Sequence, residues 1–163
     1  MVVEQIFSQE VIDQLEFWLA KYPADQRQSA VIPGLQVLQN AHGGFLTTSL
    51  MDSLADYIGM PKIAVYEVAT FYGMYDLSPV GKHKLNVCDN ISCMLNGAGE
   101  IIEHISKRLN IKPGETTKDG RITLKTVECQ GACCGAPMLE VDEVFYEQLT
   151  TVAVDKIIDN LES

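Results

Sequence analysis

The 163-residue chain carries 12 Lys and Arg against 22 Asp and Glu, a net charge of −10, and is 47% hydrophobic and 21% charged. A chain of this size makes one ordinary domain or two small ones and buries roughly 70% of its unfolded surface, so a core forms without disulfides. The composition excludes disorder, collagen and coiled coil. An excess of negative charge with no Lys/Arg block disfavours nucleic acid and anionic lipid, which leaves another protein as the expected partner. Met1–Phe7 lacks a basic and then apolar leader, and no run approaches ~18 apolar residues, so neither export nor membrane spanning is expected.

The first half is punctuated as four short helices. Ser8 caps a segment with Val11, Leu15 and Leu19 on one face and Glu10 in its first turn; Tyr22-Pro23 ends it. A second segment aligns Val31, Leu35 and Leu38, tolerates Pro33 in its first turn and stops at Gly43-Gly44. Thr47 or Thr48 caps a third, with Leu50, Leu54 and Ile58 on one face and Gly59 just past its end. Pro61 opens a fourth, running from Lys62 to about Tyr72. Each has a single apolar stripe, so the four are expected to pack on one another or on a neighbour.

The texture changes around Asp76–Gly81, and a boundary is placed near residue 79. Lys84–Cys88 alternates as a strand does, and a helix is predicted from about Asn96 to Leu109 with Ile101, Ile105 and Leu109 aligned. Turns at 112–114 and 118–120 lead to a strand marked by Ile122, Leu124 and Val127. Met138–Val141 and Val144–Tyr146 form two more around Asp142-Glu143, and Val154–Leu161 is a last helix. The order β-α-β-β-β-α predicts an α/β unit: a small four-stranded mixed sheet carrying two helices, with a parallel pair followed by an antiparallel hairpin.

All five cysteines lie after residue 87, in two groups. Cys88 and Cys93 make C-x4-C at the end of the first predicted strand; Cys129 and Cys133 make C-x3-C, with Cys134 directly after, at the end of the second. If those strands are parallel neighbours, both loops lie on one edge and four thiolates converge, the set that a [2Fe–2S] cluster or a structural zinc requires. Gly131 keeps side chains clear and lets backbone N–H groups approach the sulfurs.

Other readings compete. Buried structural thiols are one, since free Cys is among the most buried residue types, and zinc tolerates both spacings. A thiol oxidoreductase needs C-x-x-C, which is absent. A Rieske centre needs paired His and Cys, but His42, His83 and His104 are not so placed; His83, five residues before Cys88, is expected simply to face solvent. Plant-type ferredoxin spacing also fails after Cys93. Gly97-Ala98-Gly99 with Asp119 further on imitates a dinucleotide fingerprint, but Ile102 occupies its third glycine position; the glycines are read instead as loosening the helix entry. Which four of the five cysteines bind is left open by spacing, because Cys129 to Cys134 is itself C-x4-C. In an extended chain Cys133 and Cys134 point in opposite directions, so one is a spare.

Taken together, Val87-Cys88-x4-Cys93-Met94-Leu95-Asn96-Gly97-Ala98, Val127-Glu128-Cys129-x-Gly131-Ala132-Cys133-x2-Ala136-Pro137-Met138, Glu67–Tyr72 and Val80-Gly81-Lys82 resemble the thioredoxin-like [2Fe–2S] ferredoxin family of respiratory complex I, the small iron–sulfur subunits of NADH-quinone oxidoreductases. The resemblance implies Cys88, Cys93, Cys129 and Cys133 as ligands of one [2Fe–2S] cluster, with Cys134 at a variable position. It implies a helical domain over 1–78 that docks on the flavin-bearing, NADH-oxidising subunit, and a thioredoxin-like domain over 79–163 that holds the cluster near that flavin. FMN and NADH then belong to the partner, the large iron–sulfur subunit is a further neighbour, and the chain is cytoplasmic, peripheral to the inner membrane through the complex. Asp89 and Gln130 depart from the usual pattern without removing a ligand.

What the resemblance implies is an electron carrier with no substrate pocket, accepting single electrons from the partner's flavin on a side branch of the main path. The cluster is anionic when oxidised and more so when reduced, so Asp89 and Glu128 beside it favour a low potential, toward about −400 mV. The diaphorase subunits of NAD-linked hydrogenases and formate dehydrogenases share the module, and a zinc-bound structural adaptor is the non-redox rival.

Overall fold

A computed structural model describes residues 7–162; the stretch 1–6, which bears on export, lies outside them. The chain divides into two compact units, Met1–Pro79 and Val80–Ser163. No helix among the described residues is long and apolar enough to cross a membrane.

In the first unit, α1 (Gln9–Leu19), α2 (Val31–Ala41), α3 (Thr48–Ile58) and α4 (Lys62–Phe71) follow the expected punctuation. The Ser8 hydroxyl accepts the Val11 N–H and the Thr47 hydroxyl accepts the Leu50 N–H, each satisfying one orphan donor of a first turn. Gly59 closes α3 in the left-handed region, φ 74°. The apolar stripes meet in one core that includes Val11, Leu15, Leu35, Leu38, Leu54 and Val65. A 3-10 segment over Ala24–Ala30 joins α1 to α2 where the sequence carries no periodic signal. The chain after α4 is fastened to α2 by buried Gln39, whose amide donates to the Met74 carbonyl at 3.0 Å and accepts the Asp76 N–H at 2.7 Å.

In the second unit the sheet order is β2-β1-β3-β4, built from β1 (His83–Cys88), β2 (Ile122–Val127), β3 (Leu139–Val141) and β4 (Val144–Tyr146). β1 pairs parallel with β2 and antiparallel with β3, and β3 and β4 form the hairpin. Leu85, opposite both Leu124 and Val141, and Val87, opposite Leu139, join Ile101, Ile105, Val154 and Ile158 in one core, so α6 (Ala98–Leu109) and α7 (Thr151–Glu162) cover the same sheet face. A separate short helix, α5 (Ile91–Leu95), precedes α6. Its five residues are too few to show a helical period in sequence.

The expectation that His83 simply faces solvent is corrected. Its Nδ1 is hydrogen-bonded to Asp142 Oδ2 at 2.5 Å and its side chain is only 17% exposed. The partner lies on the β3–β4 turn, 59 residues away in sequence, which local reading does not reach.

Gly81 precedes β1 where a side chain has no room: a Cβ there would lie 2.9 Å from backbone atoms of Arg121 and Ile122. Gly81→Ala is expected to lower unfolding free energy by about 1–3 kcal/mol in chemical denaturation, because backbone rather than a flexible side chain must give way. The turn residues Asp142 and Glu143 both have positive φ, 49° and 70°, as a two-residue hairpin turn of the type that favours Asn-Gly. Glu143→Gly is therefore expected to raise stability by about 0.5–1 kcal/mol in the same measurement. α6 and α7 are tied by Asp155, which accepts hydrogen bonds from His104 at 2.8 Å and Arg108 at 2.9 Å. The bond from His104, then Arg108, holds its carboxyl below the usual range. A depressed carboxylate stabilises above about pH 4 and loses that contribution as pH falls through its lowered value. Asp155→Asn should thus destabilise at neutral pH and converge on the wild-type chain in acid.

Candidate metal centre

The parallel register sets Cys88 opposite Val127, so both strands run out at one edge and their loops emerge side by side. The Cys88 N–H donates to the Met138 carbonyl and the Asp89 N–H to the Val127 carbonyl, both at 3.2 Å. Asn90 then caps α5 by accepting the Ile91 N–H at 2.9 Å, and its amide donates to Glu128 Oε2 at 2.6 Å, which fastens the first cysteine loop to the second. α5 turns Cys93 inward. Cys88 and Cys93, each 2% exposed, pack with Ala98 and Met138.

In the second loop Gly131 adopts φ 83°, and its N–H reaches back to Cys129 Sγ at 3.4 Å. A 3-10 turn over Cys133–Gly135 follows, then the cis Ala136–Pro137 bond. The segment before α7 supports this turn: the Gln148 N–H donates to the Gly135 carbonyl at 2.7 Å and the Leu149 N–H to the Pro137 carbonyl at 3.0 Å. Cys133 and Cys134 therefore lie on a helical turn, which corrects the expectation of an extended chain at this pair.

Four thiols gather as two pairs. Cys129 and Cys133 sulfurs are 3.3 Å apart, and Cys88 is hydrogen-bonded to Cys93. Cys133 also interacts electrostatically with Cys88 and Cys93 across the two loops. Cys134 is exposed on the same turn and takes part in none of these contacts. Burial, then the Cys88 hydrogen bond, pushes the Cys93 thiol up. The Gly131 N–H, then Cys133, pulls the Cys129 thiol down, whereas the neighbouring Cys129 pushes Cys133 up.

The donors around the sulfurs fit a thiolate-bound group. The Gly131 N–H is directed at Cys129 Sγ at 3.4 Å, and the Met138 main chain and the Ser92 side chain draw the Cys93 and Cys133 thiols down against the burial and neighbouring thiols that push them up. Four thiolates are the ligand set that a [2Fe–2S] cluster would take, and Cys88, Cys93, Cys129 and Cys133 would supply them. Sequence reasoning found the cysteines and Gly131; it did not single out Asn90, Ser92 or Met138. The Asn-x3 approach to a short helix was the available signal for Asn90 as a cap.

A mixed sheet presenting paired thiols at the end of two parallel strands defines a cysteine-ligated iron–sulfur protein. Residues 15–162 match the model of the thioredoxin-like [2Fe–2S] ferredoxin family, and the chain belongs to that family, whose cofactor is one [2Fe–2S] cluster. It is 39% identical over 153 residues to the E subunit of NADH-quinone oxidoreductase from Rickettsia typhi, covering 94% of this chain and 90% of that protein. It is 41% identical over 157 residues to the mitochondrial NADH dehydrogenase [ubiquinone] flavoprotein 2 of Dictyostelium discoideum, covering 96% of this chain and 64% of that longer protein. An NAD+-reducing [NiFe]-hydrogenase in the air-oxidised state shares the fold with TM-score 0.67 at 19% identity, over 79% of this chain and 23% of that one.

Gly131→Ala is expected to cost about 1–2 kcal/mol, because a Cβ is disfavoured in the left-handed region. It should also turn the N–H away from Cys129, seen as a shifted visible absorption of the iron-loaded chain.

Proposed function

We propose that this chain is the small iron–sulfur subunit of an NADH-quinone oxidoreductase of the complex I type, with Cys88, Cys93, Cys129 and Cys133 as cluster ligands. The observation that carries the reading is the convergence of two thiol pairs at the ends of adjacent parallel strands. When bound, the cluster accepts one electron and passes it on. The chain's own part is to hold four sulfurs in place, direct the Gly131 N–H at one of them, and bury two of the four away from water. Asp89 and Glu128, both exposed beside the loops, add negative charge that disfavours a further electron, so the midpoint lies well below Rieske values.

The donor of the electron is the flavin of an NADH-oxidising partner subunit, and the helical unit docks on that partner. α4 and the chain after it leave Phe71 80% and Ile63 64% exposed, with Met74 and Leu77 also in solvent, a concentration of large apolar side chains that a lone soluble unit does not need. The large iron–sulfur subunit is the second neighbour, and through these contacts the chain lies at the cytoplasmic side of the inner membrane. The relatives at 39–41% identity are named for NADH dehydrogenases, which favours this assembly over a hydrogenase or formate dehydrogenase.

Two experiments test the reading. The dithionite-reduced chain should give the EPR spectrum of one [2Fe–2S] cluster, retained in Cys134→Ser and abolished or distorted in Cys133→Ser; the reverse result overturns the ligand set. Phe71→Asp should weaken capture of the flavin-bearing subunit at least tenfold while leaving the EPR spectrum unchanged. Undiminished capture would remove α4 from the interface.

A further inference from the structure

We infer that the groove between α1 and α2 is a second docking site of the helical unit and takes a basic amphipathic helix of a partner protein. It stands independently of the cluster ligands and of the α4 patch. α1 carries two stripes: Val11, Leu15 and Leu19 are buried in the core, whereas Glu10, Asp13, Gln14, Phe17 and Trp18 recur at i, i+3, i+4, i+7 and i+8 and line a second face. On α2, Pro33, Gln36, Val37 and Asn40 repeat the i, i+3, i+4, i+7 spacing. With Trp18, Tyr22 and Ile32 they enclose a groove of about 500 Å³. A depression of about 530 Å³ over Glu10, Asp13 and Phe17 continues from it, since Gln14 and Trp18 line both. Phe17 is 60% and Ile32 36% exposed, while Trp18 and Tyr22 lean on the core beneath.

Shape and charge select the occupant. Residues 10–18 run about 12 Å along α1 at ~1.5 Å per residue, which suits a helix that seats apolar anchors one turn apart better than one compact ligand. The lining holds the carboxylates of Glu10 and Asp13 and neither Lys nor Arg. Lys21, just past α1, lies over the Phe17 and Trp18 rings at 4.2 and 3.7 Å, so these ring faces already accept a cation. The partner helix thus presents aliphatic anchors to Trp18, Ile32 and Val37 and Lys or Arg to Glu10 and Asp13. A second copy of this chain would bring the same acidic stripe and a net charge of −10, and is repelled.

Trp18 is the chain's only tryptophan, so its fluorescence reports this groove directly. The test titrates the purified full chain with a synthetic amphipathic helix of Leu and Lys alone, and with its counterpart of Leu and Glu. The Leu/Lys helix should shift Trp18 emission saturably, and the Leu/Glu helix should not. Glu10→Lys combined with Asp13→Lys should weaken the Leu/Lys helix by about tenfold or more, as should Ile32→Asp, whereas Phe71→Asp should leave it unchanged. Asn40→Asp, which adds a carboxylate to the exposed lining, should tighten it about threefold and keeps the inference testable if Ile32→Asp does not fold. No saturable shift, equal binding of the Leu/Glu helix, or binding that charge reversal leaves undiminished overturns the inference. A dimer of the free chain that Glu10→Lys with Asp13→Lys alters and Asn40→Asp weakens assigns the groove to a second copy and overturns it too.

Discussion

The parallel pairing of β1 with β2 is the constraint on which the metal centre depends. Cys88 and Cys129 are 41 positions apart in the chain, yet the register that sets Cys88 opposite Val127 brings them out at one edge, with Cys129 two residues past its strand end. A slip of one residue would turn Leu85 and Val87 away from α6 and α7. The core that fixes the register thus also fixes the sulfurs: Leu85 against Leu124 and Val141, and Val87 against Leu139, hold the sheet, and the cysteines inherit their placement. Packing and site geometry are one problem here.

The loops then need fasteners of their own, because neither is held by the ladder. Asn90 has two roles, capping α5 and donating to Glu128 across the gap. The segment before α7 grips the second loop through the Gly135 and Pro137 carbonyls. Glu128 therefore has a structural use for its charge beside an anionic centre. Part of the chain's net charge of −10 stands in Asp89 and Glu128, both exposed beside the cysteine loops.

Most of this architecture was legible from the residues because it rests on local rules. Ser8, Thr47 and Gly59 mark helix ends by hydrogen-bonding chemistry and by φ, and all three act as those rules require. The β-α-β-β-β-α order limited the sheet to few arrangements, and the observed one is the parallel pair with an antiparallel hairpin. The grouping of five cysteines at two strand ends pointed to a shared metal group without needing the third dimension. What escaped is either too short or too distant in sequence. α5 exposes Ile91, Met94 and Leu95 and buries Cys93, so its apolar residues give no inward stripe. The 3-10 turn at Cys133–Gly135 depends on support from residues 148 and 149, which no local pattern announces. The contact of His83 with Asp142 joins a strand and a turn that only the folded sheet brings together.

The central claim is that the two thiol pairs share one two-iron group. Iron, acid-labile sulfide and zinc analysis of the anaerobically purified chain tests it most directly. The account predicts iron and sulfide in equal amounts, two of each per chain, with no zinc. One zinc per chain with no labile sulfide would contradict it.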